Sequence, residues 1–247
     1  MKHILIIGAT SAMAEQCARL WAARGDARLV LVGRHAQRLD TIAQDLRVRG
    51  QRVEATTRIV DFEDAAAIAA LVAATAAEAP IDIALVAHGH LPDQAECEGD
   101  LALTAHELSV NAVSPVLFAE AIAGSMQRAG RGALAVIGSV AGDRGRRSNY
   151  VYGAAKGLVE RYVEGLQHRL AATAVRVTLV KPGPTDTPMT AHLKREGAKL
   201  ADVGAVAREI VSATDAGRPV LYTPGKWALI MAVIRNLPRA VFHRMNI

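Results

Sequence analysis

The chain has 247 residues, 51% hydrophobic but only 4% aromatic, and a formal net charge of +5. That length suits one large α/β domain and is short for two, and an aliphatic core fits helices packed on a sheet better than a β-sandwich. Positions 225–247 hold Lys226, Arg235, Arg239 and Arg244 and no acid, so the first 224 residues are near neutral; without a basic stripe or stacking aromatics, nucleic acid is excluded as a partner.

The N-terminal apolar run Ile4-Leu5-Ile6-Ile7 stops at Gly8, too short for a signal peptide and right for a first strand. No apolar stretch reaches the length that spans a bilayer. Cys17 and Cys97 fit no metal-ligand spacing, so a reduced, cytoplasmic protein is expected. Short apolar runs at 3–7, 27–32, 52–57, 81–87, 132–138, 175–180 and 219–222 are expected as strands. Helix-length segments at 12–23, 36–49, 64–77, 111–129, 151–172 and 202–216 separate them. Continuous apolar runs alternating with such helices imply right-handed βαβ units: a single-domain Rossmann fold with a doubly wound parallel sheet of about seven strands. Residues 1–224 form the dinucleotide-binding unit. The basic, apolar tail 225–247 is either part of it or an interface or membrane element. The segment 185–200 follows the sixth strand and is placed to flap over a ligand.

Gly8-Ala9-Thr10-Ser11-Ala12-Met13-Ala14 sets a glycine turn between the first strand and a helix. Such a turn aims helix amides at a pyrophosphate, which makes Gly8, Thr10, Ser11, Ala12 and Met13 candidate cofactor contacts. Ala12 and Ala14 stand where common fingerprints have glycines. The second strand ends Val32-Gly33-Arg34, with no acid to hold ribose hydroxyls and an arginine able to accept a 2′-phosphate. NADP(H) is therefore the expected cofactor, with NAD(H) second. Asp61, just after the third strand, is a candidate adenine contact.

Tyr152-Gly153-Ala154-Ala155-Lys156 places a phenol and an ammonium one helical turn apart. A free tyrosine titrates near ~10, and a neighbouring ammonium is expected to bring it toward neutrality for proton transfer. Ser139, at the end of the fifth strand, can hold the reacting oxygen beside Tyr152. Asn111 can fix a backbone distortion in a helix or a water relaying protons to Lys156.

With Asn111, Ser139, Tyr152 and Lys156 in place, the chain resembles the short-chain dehydrogenase/reductase family over essentially its whole length. The resemblance implies hydride transfer at nicotinamide, Lys156 also holding the nicotinamide ribose, and assembly into dimers or tetramers. It implies that Pro182, Gly183, Thr185 and Thr187 of Lys181-Pro182-Gly183-Pro184-Thr185-Asp186-Thr187 contact the carboxamide and pyrophosphate. The family's Asn-Ala-Gly after the fourth strand is Ala87-His88-Gly89 here, so Ala87 and Gly89 are the candidate contacts near the adenine ribose and the turn there is expected to differ. His88 and His90 lack a third ligand, and no metal is expected.

Arg144, Arg146 and Arg147 lie between Ser139 and Tyr152 and suit phosphate capture; Arg146 and Arg147 are the candidate substrate residues. The tail, with Trp227, an aliphatic run and spaced arginines, has the makings of an element at an anionic membrane surface or against a subunit neighbour. Together with Asn149-Tyr150-Val151-Tyr152-Gly153, Met189-Thr190-Ala191-His192-Leu193-Lys194 and the tail's Leu237-Pro238-Arg239, the arginine loop resembles one branch of the family, the decaprenylphosphoryl-2-keto-ribose reductases. That resemblance implies reduction of a ketone on a phosphorylated or lipid-linked sugar by a protein peripheral to the cytoplasmic face of the membrane. The alternatives are a cytosolic enzyme for a small neutral carbonyl or alcohol and, from another class, a non-catalytic cofactor-binding scaffold.

Overall fold

A computed structural model describes residues 1–245; Asn246 and Ile247, the end of the tail, lie outside the described residues. Seven strands form one parallel sheet: β1 (Lys2–Ile7), β2 (Ala27–Gly33), β3 (Val53–Ile59), β4 (Ile83–Val86), β5 (Gly132–Ile137), β6 (Val175–Pro182) and β7 (Val220–Thr223). Their order is β3-β2-β1-β4-β5-β6-β7. Ile4 pairs in register with Leu29 on one side and Ile83 on the other. The helices are α1 (Ala12–Ala22), α2 (Ala36–Arg47), α3 (Ala65–Glu78), α4 (Gln94–Gly99), α5 (Leu101–Leu108), α6 (Ser114–Ala129), α7 (Tyr150–Leu170), α8 (Ala191–Arg195), α9 (Val203–Ala216), α10 (Lys226–Asn236) and α11 (Arg239–Phe242).

The apolar runs are continuous because both faces of the sheet are covered. Ile4 and Ile6 point into one core, packed by Cys17 and Trp21 of α1, Leu46 of α2 and Ile210 of α9. Leu5 and Ile7 point into the other, packed by Val72 of α3, Phe118 and Ile122 of α6, and Val163 of α7. This is the two-residue alternation of a strand read out as two separate cores. Truncating one such side chain to alanine costs about 2–5 kcal/mol.

The helix boundaries expected between β4 and β5, and the expectation that no apolar stretch reaches bilayer length, need correction. A helix that was to begin at Asn111 instead runs from Leu101 to Ala129, 29 residues, long and apolar enough by length and composition to cross a membrane. Here it is a core helix, with more than half of its most apolar window buried against the rest of the fold. It is also not regular: Ser109–Val113 is wound as a π turn with Asn111 at its centre, the kind of local distortion that places functional residues. Upstream, α4 and α5 escaped the periodicity because they are short. Their start signals were present: Asp93 and Asp100 accept from Ala95 N and Ala102 N, each at 2.8 Å. The tail is helical too, as α10 and α11.

Candidate active site

The ends of β1, β4, β5 and β6 open on one side of the sheet, where the strand order reverses between β1 and β4. This is the crevice in which open α/β sheets bind ligands. β1 ends in the turn at Gly8, whose φ is +76°. A Cβ there would lie 2.7 Å from the backbone nitrogen of His88, so both the turn and the close approach require glycine. α1 then begins at Ala12 with Ser11 as N-cap, and Ser11, Ala12 and Met13 line the cleft together with Gly8 and Thr10.

The same cleft is completed by Arg34, Arg38, Asp61, Ala87 and Gly89. Arg38 donates to Thr10 O at 3.3 Å, placing its guanidinium beside the turn and near Arg34. Asp61 lines the cleft while accepting from Glu63 N at 2.9 Å. His88 explains how the unusual Ala-His-Gly turn is tolerated. Its ring sits edge-on to Phe62 and Phe118, with centroids 4.7 and 5.5 Å away, and its Nε2 is 2.8 Å from Ser114 Oγ. Burial, with Lys156 and Arg34 adding to it, pushes its pKa down to about 3, so the imidazole is neutral and works in packing.

A second chamber continues from the first and is lined by Ser139, Tyr152, Lys156, Pro182, Gly183, Thr185 and Thr187. α7 brings Tyr152 and Lys156 to the same face. The Lys156 Nζ lies 5.7 Å from the Tyr152 ring centroid and donates to Ile137 O at 3.1 Å. Ser139 lines the same chamber as Tyr152, and its Oγ accepts from Ala141 N at 3.1 Å. The expected lowering of the Tyr152 pKa does not occur in this structure. Burial dominates and raises it to about 12, with Ser139 pulling the other way. Lys156, 2% exposed, is pushed down to about 8 by the same burial. At neutral pH the phenol carries its proton.

Asn111 is fully buried, and its amide is held at both ends. Oδ1 accepts from His90 N at 2.8 Å, and Nδ2 donates to Glu107 Oε2 at 2.9 Å. Glu107 Oε1 closes the ring at 2.9 Å from His90 Nδ1. Gly89 sits between the Asn111 amide and the Lys156 ammonium. A carboxylate four residues before Asn111, one helical turn away, was the sequence signal for Glu107.

The arginine loop separates into different jobs. Arg146 lines the chamber, with its Nε buried and without a hydrogen-bond partner. Burial lowers its pKa while Asp143 supports its charge. Arg147 lies farther out, on a groove shared with Tyr150, Phe242 and Met245. Arg144 does not face the chamber. It donates to Ile234 O and, at 2.8 Å, to Leu237 O, and its guanidinium stacks 3.7 Å from the Phe242 ring centroid. Behind the loop, Lys181 is buried and pairs with Asp143 and with Glu160, the latter at 2.7 Å. Asp143 Oδ2 accepts from Tyr222 OH at 3.0 Å. The sequence reading missed Trp227 as a lining residue of the chamber.

A seven-stranded doubly wound sheet with a glycine turn at β1 and a Ser–Tyr–Lys chamber at β5 and α7 defines a nucleotide-dependent class of oxidoreductase fold. Residues 2–198 match the family model of short chain dehydrogenases, and the chain belongs to that family. It is 37% identical over 249 residues to an uncharacterised oxidoreductase of Mycobacterium tuberculosis, covering 98% of this chain and 96% of the relative. It is 32% identical to sulfoacetaldehyde reductase 2 of Chromohalobacter salexigens over 228 residues, 89% of this chain and 87% of that one. A short-chain dehydrogenase from Sphingobium yanoikuyae, solved with NADPH, superposes with a TM-score of 0.83 at 24% identity, covering 100% of this chain and 97% of that one. The protein is an oxidoreductase of the short-chain dehydrogenase/reductase type.

Proposed function

We propose that the protein is an NADP(H)-dependent reductase that transfers hydride between nicotinamide and a carbonyl or secondary alcohol, with Tyr152 as its acid and base. The observation that carries this is the meeting of Ser139, Tyr152 and Lys156 in one chamber continuous with the glycine turn. The cleft fits the dinucleotide: Gly8 leaves room for backbone approach, Thr10, Ser11, Ala12 and Met13 border the pyrophosphate position, and Arg34 with Arg38 suits a 2′-phosphate. Asp61, Ala87 and Gly89 would bracket the adenosine, and Pro182, Gly183, Thr185 and Thr187 the nicotinamide end. When bound, the cofactor supplies the hydride.

The chain's own residues handle the oxygen. Ser139 orients the carbonyl, and Tyr152, protonated at neutral pH, gives its proton to the oxygen as negative charge develops. Lys156 stabilises the phenolate left behind, and Asn111 holds the π turn that frames the lysine. Titration with NADPH and NADH, followed by nicotinamide fluorescence, tests the reading. NADPH-favoured binding that survives Tyr152→Phe, with turnover abolished, is the expected result. No binding of either cofactor would overturn it in favour of a scaffold.

For the substrate we favour an anionic carbonyl compound, in the extreme a keto-sugar on a phosphorylated or lipid-linked carrier. Arg146, with an unpartnered buried Nε on the chamber wall, is the support, joined by Arg147 at the outer groove. The similarity to a sulfoacetaldehyde reductase, named for an anionic aldehyde, points the same way. Arg146→Ala should weaken an anionic ketone far more than a neutral one; equal losses would return the choice to a small neutral carbonyl. α10 presents Leu229 and Val233, 74% and 56% exposed, beside Lys226 and Arg235, which suits peripheral contact with an anionic membrane face. Flotation with anionic liposomes, lost on Leu229→Glu, tests that contact. A homo-oligomer is the expected assembly, read by light scattering.

A further inference from the structure

α10 is attached to the active site at both of its ends, and by consecutive residues of one loop. At its start, Asp143 accepts from Tyr222 OH, three residues before the Gly225 N-cap. At its end, Arg144 donates to the carbonyls of Ile234 and Leu237, where helix carbonyls lack intrahelical partners, and stacks on Phe242 of α11. Between these two clasps, Trp227 turns inward. Its indole lies so close to Gly183 that a Cβ there would be 1.9 Å from Nε1, and it lines the chamber with Ser139, Tyr152 and Arg146. Leu91, Met189 and Leu193 line the same chamber.

We propose that Trp227 is the specificity-determining wall of the carbonyl chamber and that Arg144 is its positioning residue. The inference deepens the reductase reading and rests on it for the chamber's ligand being a carbonyl compound. The loop that carries Ser139 at its start and leads into Tyr152 also holds the tail, so the proton-transfer residues and the size-selecting indole are set from one backbone. A flat, rigid aromatic at that point admits a carbonyl on a slim carrier and rejects one fused to a second ring. The chamber's other apolar lining includes Met13, Ile137, Val140, Leu91, Met189 and Leu193, and the indole of Trp227 is what the tail contributes to it.

The test uses the full chain saturated with NADP⁺, in which a ketone binds without being reduced. Dissociation constants for acetophenone and 2-acetylnaphthalene are measured by saturation-transfer NMR in the wild type, Trp227→Ala, Trp227→Phe and Arg144→Ala. The ratio favouring the smaller ketone should fall by about tenfold in Trp227→Ala, the scale on which pocket walls discriminate by bulk. It should fall less in Trp227→Phe and to an intermediate degree in Arg144→Ala. In a Trp21→Phe background, acrylamide should quench Trp227 several-fold more strongly once Arg144 is removed, a signature that a merely structural arginine distant from the tail would not give. An unchanged ratio in Trp227→Ala overturns the wall, and unchanged quenching in Arg144→Ala overturns its positioning role. Nicotinamide fluorescence reads cofactor binding separately. Its absence from the wild type removes the reductase reading beneath, whereas failure of both ketones to bind any form overturns the proposed wall and leaves that reading standing. Cofactor binding with an unchanged ketone ratio removes only the role of Trp227.

Discussion

Substituting Gly183 by alanine tests the most crowded contact at the site. The backbone there permits a side chain, because Gly183 is not among the glycines with positive φ. The obstacle is Trp227: the new Cβ would stand 1.9, 2.3 and 2.4 Å from Nε1, Cε2 and Cδ1 of the indole. Contacts that short do not persist, so the indole, and with it the first turn of α10, must move. Overpacking of this kind costs about 1–3 kcal/mol. In a Trp227→Ala background the obstructing atoms are gone, and the same substitution should change stability by less than about 0.5 kcal/mol, since distant or relieved sites add nearly independently. A double-mutant cycle by urea unfolding therefore predicts a coupling of about 1–3 kcal/mol between positions 183 and 227. The emission of Trp227, isolated by Trp21→Phe, should shift toward the red in Gly183→Ala as the ring enters water. Equal costs of Gly183→Ala in both backgrounds would refute the packing of the tail against the β6 loop.

The other predictions concern charge. Lys156 is held near 8 against an ordinary 10.5, so from pH 8 to 10 the unfolded chain binds more proton at this group and the Lys156 contribution to stability rises with pH. The full gap is worth about 3 kcal/mol; Lys156→Met should abolish the rise in urea unfolding between pH 8 and 10, and parallel curves for the two proteins would count against it. Arg34→Asp should shift cofactor preference from NADPH toward NADH in fluorescence titrations by repelling a 2′-phosphate, and an unchanged ratio would remove Arg34 from the cofactor site. Lys181→Met strands Asp143 and Glu160, whose side chains are 0% and 11% exposed, and should cost about 3–5 kcal/mol. Adding Asp143→Asn and Glu160→Gln should recover much of that loss in thermal unfolding; no recovery would mean the charges are not the cause.

What could be read in the sequence was whatever depends on local spacing. The seven strands follow from apolar runs buried on both faces, and Tyr152 with Lys156 follows from a one-turn helical spacing. Gly8 follows from the strand–turn–helix order. Edges moved by a residue or two, as at β4, where Ile81 is buried but unpaired in the sheet while Ile83 begins the ladder. The π turn was less legible, because an extra backbone residue in a helix leaves the composition unchanged; the amide of Asn111 was its one trace. The Tyr152 proton affinity went the other way because spacing shows that an ammonium is near but not how strongly burial acts, and here burial is the leading cause for both groups. How the tail is held to the fold was not legible, because its aliphatic and basic residues suggest an outward surface. That surface exists at Leu229 and Val233, yet the partner that orients it, Arg144, lies 90 positions before Ile234 in the chain, and no local pattern reveals such a contact.

The buried charge cluster explains why the loop between Ser139 and Tyr152 can do several things at once. Loops this close to a strand end are ordinarily free to drift, and in the proposed reaction a drifting Ser139 would misplace the reacting oxygen. Here the turn Val140–Asp143 is fixed from below by Lys181, which rises from β6 and is itself shared with Glu160, one turn beyond Lys156 on α7. A fully buried ammonium would be unstable alone. With two carboxylates to bond it, the Lys181 pKa is raised in spite of burial, so the cluster stays charged and the turn stays pinned. Asp143 then has an oxygen left for Tyr222, which carries the same constraint to the root of α10. An apolar plug at position 181 could fill the volume but could not bind the loop, α7 and β7 in fixed relative positions, because only directed bonds specify direction as well as proximity. The cost of burying those charges is thus the means by which Ser139, Tyr152 and Trp227 keep one geometry.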